Sequence, residues 1–271
     1  MIQSDFNKGI IHFENLQTYS SLIHLSTTIK GGVSSGNYSS FNLGEYSGDS
    51  LSNVVRNRKH LASMLNIEAD NLILPYQTHE DTVLVIDDVF LQHRVEQQKH
   101  ILHGVDALIT NNKGVFIGVT TADCVPLIIY DPKQDVLGVA HAGWRGTVAR
   151  IASKTVRVMI DRYSSNPSDL IVGIAPSISQ EFFEVGEEVA IKFEESGFDM
   201  VEISRLNKAT AKMHINLQQA NASDLIRVGV LPDNIEISGL CTYSNPDMFF
   251  SARRQTIKSG RMVTGGLLKN E

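Results

Sequence analysis

Two short stretches hold the residue types that can do chemistry. Cys124 stands directly after Asp123, at the mouth of the apolar run Val125 to Tyr130. Further on, His141 opens the Gly-rich segment His141-Ala142-Gly143-Trp144-Arg145-Gly146, which carries the chain's only tryptophan. A thiol beside an imidazole can serve as nucleophile and base, or the two can ligate a metal. A buried cysteine can equally be a small hydrophobe. The turn Asp131-Pro132-Lys133-Gln134-Asp135 bears on the choice, because Asp and Pro there favour chain reversal. It predicts an antiparallel hairpin. With Asp131 opposite Asp135, Cys124 falls opposite Ala142 and next to His141.

A third residue, His79 in Gln77-Thr78-His79-Glu80-Asp81, lies between two short apolar segments. Three Cys and His ligands with a fourth position open are the pattern of a catalytic zinc, which lowers the pKa of a bound water toward ~7. The residues alone leave core thiol, nucleophile–base pair and metal site open. Gly143 and Gly146 permit a tight turn and close backbone approach. Arg145 adds a planar donor fork, and a helix beginning after Gly146 adds free N–H groups, so an anion pocket is expected beside the pair. His12, His24, His60, His93, His100, His103 and His214 sit in no motif and read as solvated or structural. Trp144 reads as a packing or stacking residue.

The elements that must position these groups follow from periodicity. Strands are predicted over 10–13, 22–28, 72–76, 82–86, 107–110, 115–121, 125–130, 136–140, 171–175 and 235–239. Helices are predicted from Asp49 or Ser50 through Leu65, over 147–162, over 185–195 and over 216–229. Residues 30–49, rich in Gly, Ser and Asn, read as a long loop of the kind that often carries function. Strands and helices mix without strict alternation, and short turns join strand pairs. The fold class is therefore α+β with a mixed sheet, in one domain spanning residues 1–271.

The bulk numbers exclude several classes. With 271 residues, 42% hydrophobic and 20% charged, the chain has the composition of an ordinary globular protein. A net charge of −6 argues against nonspecific nucleic-acid binding, which needs surplus Lys and Arg. Two cysteines, Cys124 and Cys241, cannot build a disulfide framework. No apolar run approaches the roughly 20 residues of a membrane span, and the start has no secretory pattern. A cytoplasmic setting with reduced thiols is expected.

Thr121-Ala122-Asp123-Cys124-Val125-Pro126 together with His141-Ala142-Gly143-Trp144-Arg145-Gly146 resembles the multicopper-polyphenol-oxidase-like, or laccase-domain, family. The resemblance extends over nearly the whole chain. It includes Gly31-Gly32-Val33-Ser34, Asn42-Leu43-Gly44, Asn57-Arg58, Gln77-Thr78-His79, Asp106-Ala107-Leu108-Ile109-Thr110, Phe183-Glu184-Val185-Gly186, Cys241-Thr242-Tyr243, Phe249 to Arg254 and Gly260-Arg261-Met262. It implies a layered α/β/β/α sandwich, related in outline to the cysteine hydrolase fold of a deamidating toxin. It implies Zn2+ held by His79, Cys124 and His141, with copper as an alternative occupant. It also implies purine nucleoside phosphorylase activity on adenosine, inosine, guanosine and methylthioadenosine, with adenosine deaminase activity.

Three positions depart from the family pattern: Ile29 where an arginine is common, Glu80 where glycine follows the first ligand, and Ala175 where glycine precedes Pro176. If the missing arginine holds phosphate, Lys30 or Arg58 is the candidate substitute. Candidate roles follow. Arg145, Arg58 and the helix N-terminus are expected to bind phosphate, and Asn42 the nucleoside. Asp123 or Glu80 is the candidate acid for deamination, with Asp123 alternatively orienting a ligand and Glu80 alternatively facing solvent. Arg253 and Arg254 either line the pocket or pair with acidic surface.

Rival readings are a Cys124/His141 hydrolase acting on amides or cell-wall precursor nucleotides, a nonenzymatic nucleoside- or metal-binding protein, and a copper-dependent phenol oxidase. The last needs about ten His ligands in His-x-His pairs. The chain has 9 histidines and no such pair.

Overall fold

The computed structural model describes residues 2–5 and 9–270. Two six-stranded sheets dominate it. The first runs in the order Ile2–Asp5, Ile10–Phe13, Leu22–Thr27, Met262–Leu268, Phe116–Thr121, Leu72–Ile73. The second runs Ile235–Ile237, Ile171–Ile174, Val125–Asp131, Val136–Ala142, Ala107–Thr110, Val83–Val85. Each contains both parallel and antiparallel pairs, so the α+β reading with mixed sheets holds. A small sheet of Glu184–Val185, Lys212–Ile215 and Ser204–Asn207 stands apart.

The sheets pack face to face. Ile117, Val119, Ile128, Tyr130, Leu137 and Val139 share one buried cluster between them. On the outer face of the second sheet, Val125, Leu127 and Ile129 pack with Ala152, Val156 and Met159 of the helix Ile151–Tyr163 and with Ala220 and Leu225 of the helix Leu217–Arg227. On the outer face of the first, Phe116, Val263 and Leu267 meet Leu61 and Leu65 of the helix Leu51–Leu65. The layers are thus helix, sheet, sheet, helix. The strand Val125–Asp131 is buried along its whole length because both its faces are covered. That explains why it reads as a continuous apolar run rather than an alternating one.

Several elements differ from expectation. The central hairpin pairs Asp131 with Val136 and Pro126 with His141, one residue from the predicted register. Asp131 Oδ1 accepts from the N–H groups of Lys133 and Gln134, and Asp135 takes the left-handed conformation at φ 51°, so four residues form the loop. The single helix predicted over 147–162 is two, Trp144–Val148 and Ile151–Tyr163, separated where Arg150 adopts φ 65°. Asp224 produces the break: it accepts from the Arg150 guanidinium and from Ser153 N–H at the start of the second helix. The strand expected over 72–76 is only Leu72–Ile73. The short helices Asp88–Leu91 and Val95–Ile101 and the strand Met262–Leu268 are additions.

Candidate metal centre and its cavity

The hairpin delivers its ends to the place where the two sheets separate. His141 is the second-to-last residue of its strand and is cross-strand to Pro126. It therefore faces the same side as Ile128, Val139, Tyr130 and Leu137, the side between the sheets. Cys124 lies just before the partner strand, after Asp123 at φ 88°. His79, at φ 65°, comes in on the loop after Leu72–Ile73. One ligand atom from each of His79, Cys124 and His141 lies within 4.8 Å of the others. The two imidazole rings stand edge-on, with centroids 4.8 Å apart at 81°. Gly143 makes this approach possible: a Cβ there would stand 3.1 Å from Cys124 Sγ and 3.3 Å from the His79 ring.

Asp106 organises two of the three groups, a role the sequence did not announce. Its side chain is fully buried. One carboxylate oxygen lies 2.7 Å from His141 Nδ1. Because a carboxylate only accepts, Nδ1 carries a proton, and Nε2 is the nitrogen turned to the site. The same carboxylate accepts from the backbone N–H groups of Thr78, His79 and Glu80 at 3.3, 3.1 and 2.9 Å. One buried carboxylate thus fixes the His141 ring and the loop presenting His79. Burial pushes Asp106 up, but the His141 ring and the loop N–H groups outweigh it and hold the carboxyl below its ordinary range. The loop is also tied to the first sheet, because Gln77 exchanges hydrogen bonds with Thr120.

Burial raises the Cys124 thiol, but His141 and His79 more than offset it and bring it down to about 6. His141 is held up at about 9: burial lowers it, and the thiolate and Asp106 raise it further. A thiolate, and an imidazole whose Nε2 faces the site and gives up its proton on metal binding, are the donors that bind Zn2+. Tetrahedral coordination at the usual bond lengths puts N and S donors about 3.3–3.6 Å apart, a contraction from the present spacing that the exposed His79 side can supply. The three residues fit a metal with one position open. Among the described residues this is the one group of His, Cys and carboxylates that could hold a metal ion, too few ligands for a multicopper assembly.

The trio lies on one wall of a cavity of about 590 Å³, within the range of small-molecule sites. Arg58, Arg253 and Arg261 also line it, with Tyr46, Phe183 and Thr121. Arg58 donates Nε–H to Leu43 O at 2.9 Å and pairs with Glu45 at 2.9 Å. Arg253 donates to the carbonyls of Phe182 and Glu184. Burial lowers Arg261 while Cys124 and Asp123 raise it, which places its charge in the field of the trio. The Thr121 hydroxyl is buried without a partner among the described residues.

Asp123 lines the cavity, but its carboxylate is committed: it accepts from the Thr242 hydroxyl at 2.6 Å, the Ser251 hydroxyl at 3.0 Å and Arg253 N–H at 2.6 Å. It ties the Cys124 wall to the C-terminal segment. Three of the expected site residues do not line the cavity. Arg145 is exposed, its guanidinium 4.3 Å from the Trp144 ring centroid. The helix after Gly143 spans only Trp144–Val148, too short for a sizeable dipole. Glu80 is exposed, and its backbone rather than its carboxylate serves the site. Asn42 is fully buried, its amide used by Ser47, Asp49, Gly44 and Arg261. It holds the loop that carries Glu45 and Tyr46. Arg254 donates to the carbonyls of Thr242, Tyr243 and Phe249 and fixes the C-terminal turn instead.

The class defined by fold and site is a two-sheet α+β protein with a single His/Cys/His group that could hold a metal, opening into a cation-lined cavity. The family model described as multi-copper polyphenol oxidoreductase laccase matches residues 23–269, and the chain belongs to that family. It is 43% identical over 265 residues to a Bacteroides thetaiotaomicron protein named purine nucleoside phosphorylase, covering 98% of each chain. It is 41% identical over 262 residues to adenosine deaminase RL5 from an unknown prokaryotic organism, covering 96% of each. The crystal structure of Bacillus licheniformis YfiH superposes with a TM-score of 0.90 at 29% identity, over 99% of both chains.

Proposed function

We propose that residues 1–271 form one domain that is a zinc-dependent purine nucleoside phosphorylase with adenosine deaminase activity, working in the cytoplasm on adenosine, inosine, guanosine and methylthioadenosine. The observation that carries the reading is one cavity holding both the His79/Cys124/His141 centre and three arginines. The names of the relatives point to the same purine chemistry. Zinc held by the trio would supply Lewis acidity there; copper would fit the same donors.

The remaining steps belong to the chain's own residues. Arg58, Arg253 and Arg261 place positive charge where inorganic phosphate must sit, in a site whose dipoles are already fixed. Phosphate oxygen forms a bond to ribose C1′ as the C1′–N9 bond breaks, giving ribose 1-phosphate and the free purine. Tyr46 and Phe183 offer aromatic faces to the base. Asp123 positions Arg253 and the Cys124 turn, which fits its saturated hydrogen bonds better than an acid role. The test incubates the protein with inosine or adenosine, with and without phosphate, and resolves products by chromatography. Hypoxanthine appearing from inosine only with phosphate supports phosphorolysis, and inosine from adenosine without phosphate supports deamination. Turnover of neither would sink the reading.

One observation favours a second reading. Cys124, His141 and Asp106 form a thiolate, a base and a buried orienting carboxylate in series, the arrangement of a cysteine hydrolase, as in the toxin-like fold the resemblance implied. That enzyme would act on amides or precursor nucleotides, survive chelation and die on alkylation.

A further inference from the structure

Beside the nucleoside cavity lies a second of about 320 Å³, which shares Glu45, Tyr46, Arg58 and Tyr76 with it as a common wall. Its interior is apolar, built from Val54 of the helix Leu51–Leu65 and from Leu72, Ile73 and Leu102. Its rim is apolar as well. Tyr46, Leu51, Val55 and Val95 line it while remaining 63%, 58%, 41% and 43% exposed. A cluster of exposed large apolar side chains around a concave site marks a binding surface rather than scattered surface hydrophobes.

The charge at the shared wall is unbalanced. Among the described residues Glu45 pairs with two cations, Arg58 at 2.9 Å and Lys99 at 3.4 Å, one on each carboxylate oxygen. Lys59 and Asp70 also line the cavity, and their charges offset each other. Two cations sharing one carboxylate leave a surplus of one positive charge at the edge of an apolar interior. A single negative head on an apolar tail satisfies both features at once. The tail removes the exposed apolar rim from water, and the head completes the pairing of Lys99 and Arg58.

We propose that this cavity is a second small-molecule site, selective for an amphipathic monoanion of the medium-chain carboxylate class, and that its occupant shares Arg58 with the nucleoside cavity. The proposal does not depend on the phosphorylase reading, because binding is measured without turnover.

The test is calorimetric titration of the full chain with octanoate and, separately, with 1-octanol, which has the same tail and no charge. One octanoate should bind per chain, and octanol should bind at least about tenfold more weakly. Leu51→Glu places a negative charge on the rim at the first turn of a helix, where an acid does not disfavour folding. Lys99→Met removes one of the head's partners. Each should weaken octanoate at least about tenfold while circular dichroism and thermal midpoint stay as in the parent. Octanol binding as tightly as octanoate, or octanoate binding that ignores both substitutions, would overturn the proposal. So would a concentration-dependent dimer abolished by Leu51→Glu in a protein that takes up no octanoate, which would assign the apolar rim to a second copy of the chain.

Discussion

Two walls of the cavity that holds the trio are built by different means. The wall with Cys124 and His141 is the end of a hairpin buried on both faces, and Asp106 at the start of the neighbouring strand locks it to the His79 loop. The other wall takes Arg58 from the helix Leu51–Leu65, Arg253 from the single-turn helix Ala252–Gln255 and Arg261 from irregular chain. Segments from 15 to 219 residues apart meet there through side-chain hydrogen bonds: Asn42 joins Gly44 to Arg261, Asn57 bonds Ser34 and the carbonyls of Ser40 and Asn42, and Asp123 joins Thr242, Ser251 and Arg253. Regular structure fixes the groups whose geometry must be tightest. Hydrogen-bonded networks of loops and helix ends hold the groups that need only supply charge and shape.

This contrast predicts graded effects. Cys124→Ala should have the largest, removing a ligand outright: metal content should fall to background and turnover by about a thousandfold or more, read by elemental analysis and product chromatography. Retained metal at parent level would break the assignment of the trio. Asp106→Asn comes next. With the wrong tautomer imposed on His141 and the His79 loop loosened, zinc affinity should drop about 10–100-fold in competition with a chelator. An unchanged affinity would show that the hairpin alone positions the ligands. Arg261→Met should raise the KM for phosphate about tenfold, the loss of roughly 1.5 kcal/mol of interaction with an anion, with metal content unchanged. Arg145→Ala and Glu80→Gln, both outside the cavity, should alter neither parameter more than about twofold; a larger effect from either would extend the site beyond its lining.

A pH profile sharpens the account of the first wall. In chelator-treated protein the Cys124 thiol is brought down to about 6, so the thiolate dominates at pH 7.5 and is lost as pH falls through 6. The rate of iodoacetamide alkylation of Cys124 should follow that titration. An inflection near the ordinary thiol value would show that His141 does not hold the thiolate.

The same contrast explains what could be read from the sequence. The trio was legible because residue type, a turn signal and two apolar runs sufficed to bring Cys124 and His141 to one hairpin end, even with the register off by one. His79 came from its polar setting between apolar segments and from the resemblance. Asp106 was visible only as the residue before an apolar strand, since nothing local tells a buried carboxylate from a surface one. The strand Met262–Leu268 was obscured by Gly265 and Gly266, which weaken strand propensity. Both are required where they stand, because a Cβ on Gly265 would run into the Ile117 carbonyl oxygen and one on Gly266 would approach the Ile23 carbonyl oxygen. Asn42, expected to bind the nucleoside, is buried off the cavity lining, and Arg261 was given no role, because the two meet across 219 residues, where no periodicity encodes the pairing; of the two readings given for Arg253, its place in the lining favours the first.

The most direct test of the central claim is a zinc titration into chelator-treated protein, following hypoxanthine released from inosine in the presence of phosphate. The account predicts no turnover without metal and a linear rise to a plateau at one zinc per chain, absent from Cys124→Ala. Full turnover by the metal-free protein, or a rise that Cys124→Ala shares, would contradict it.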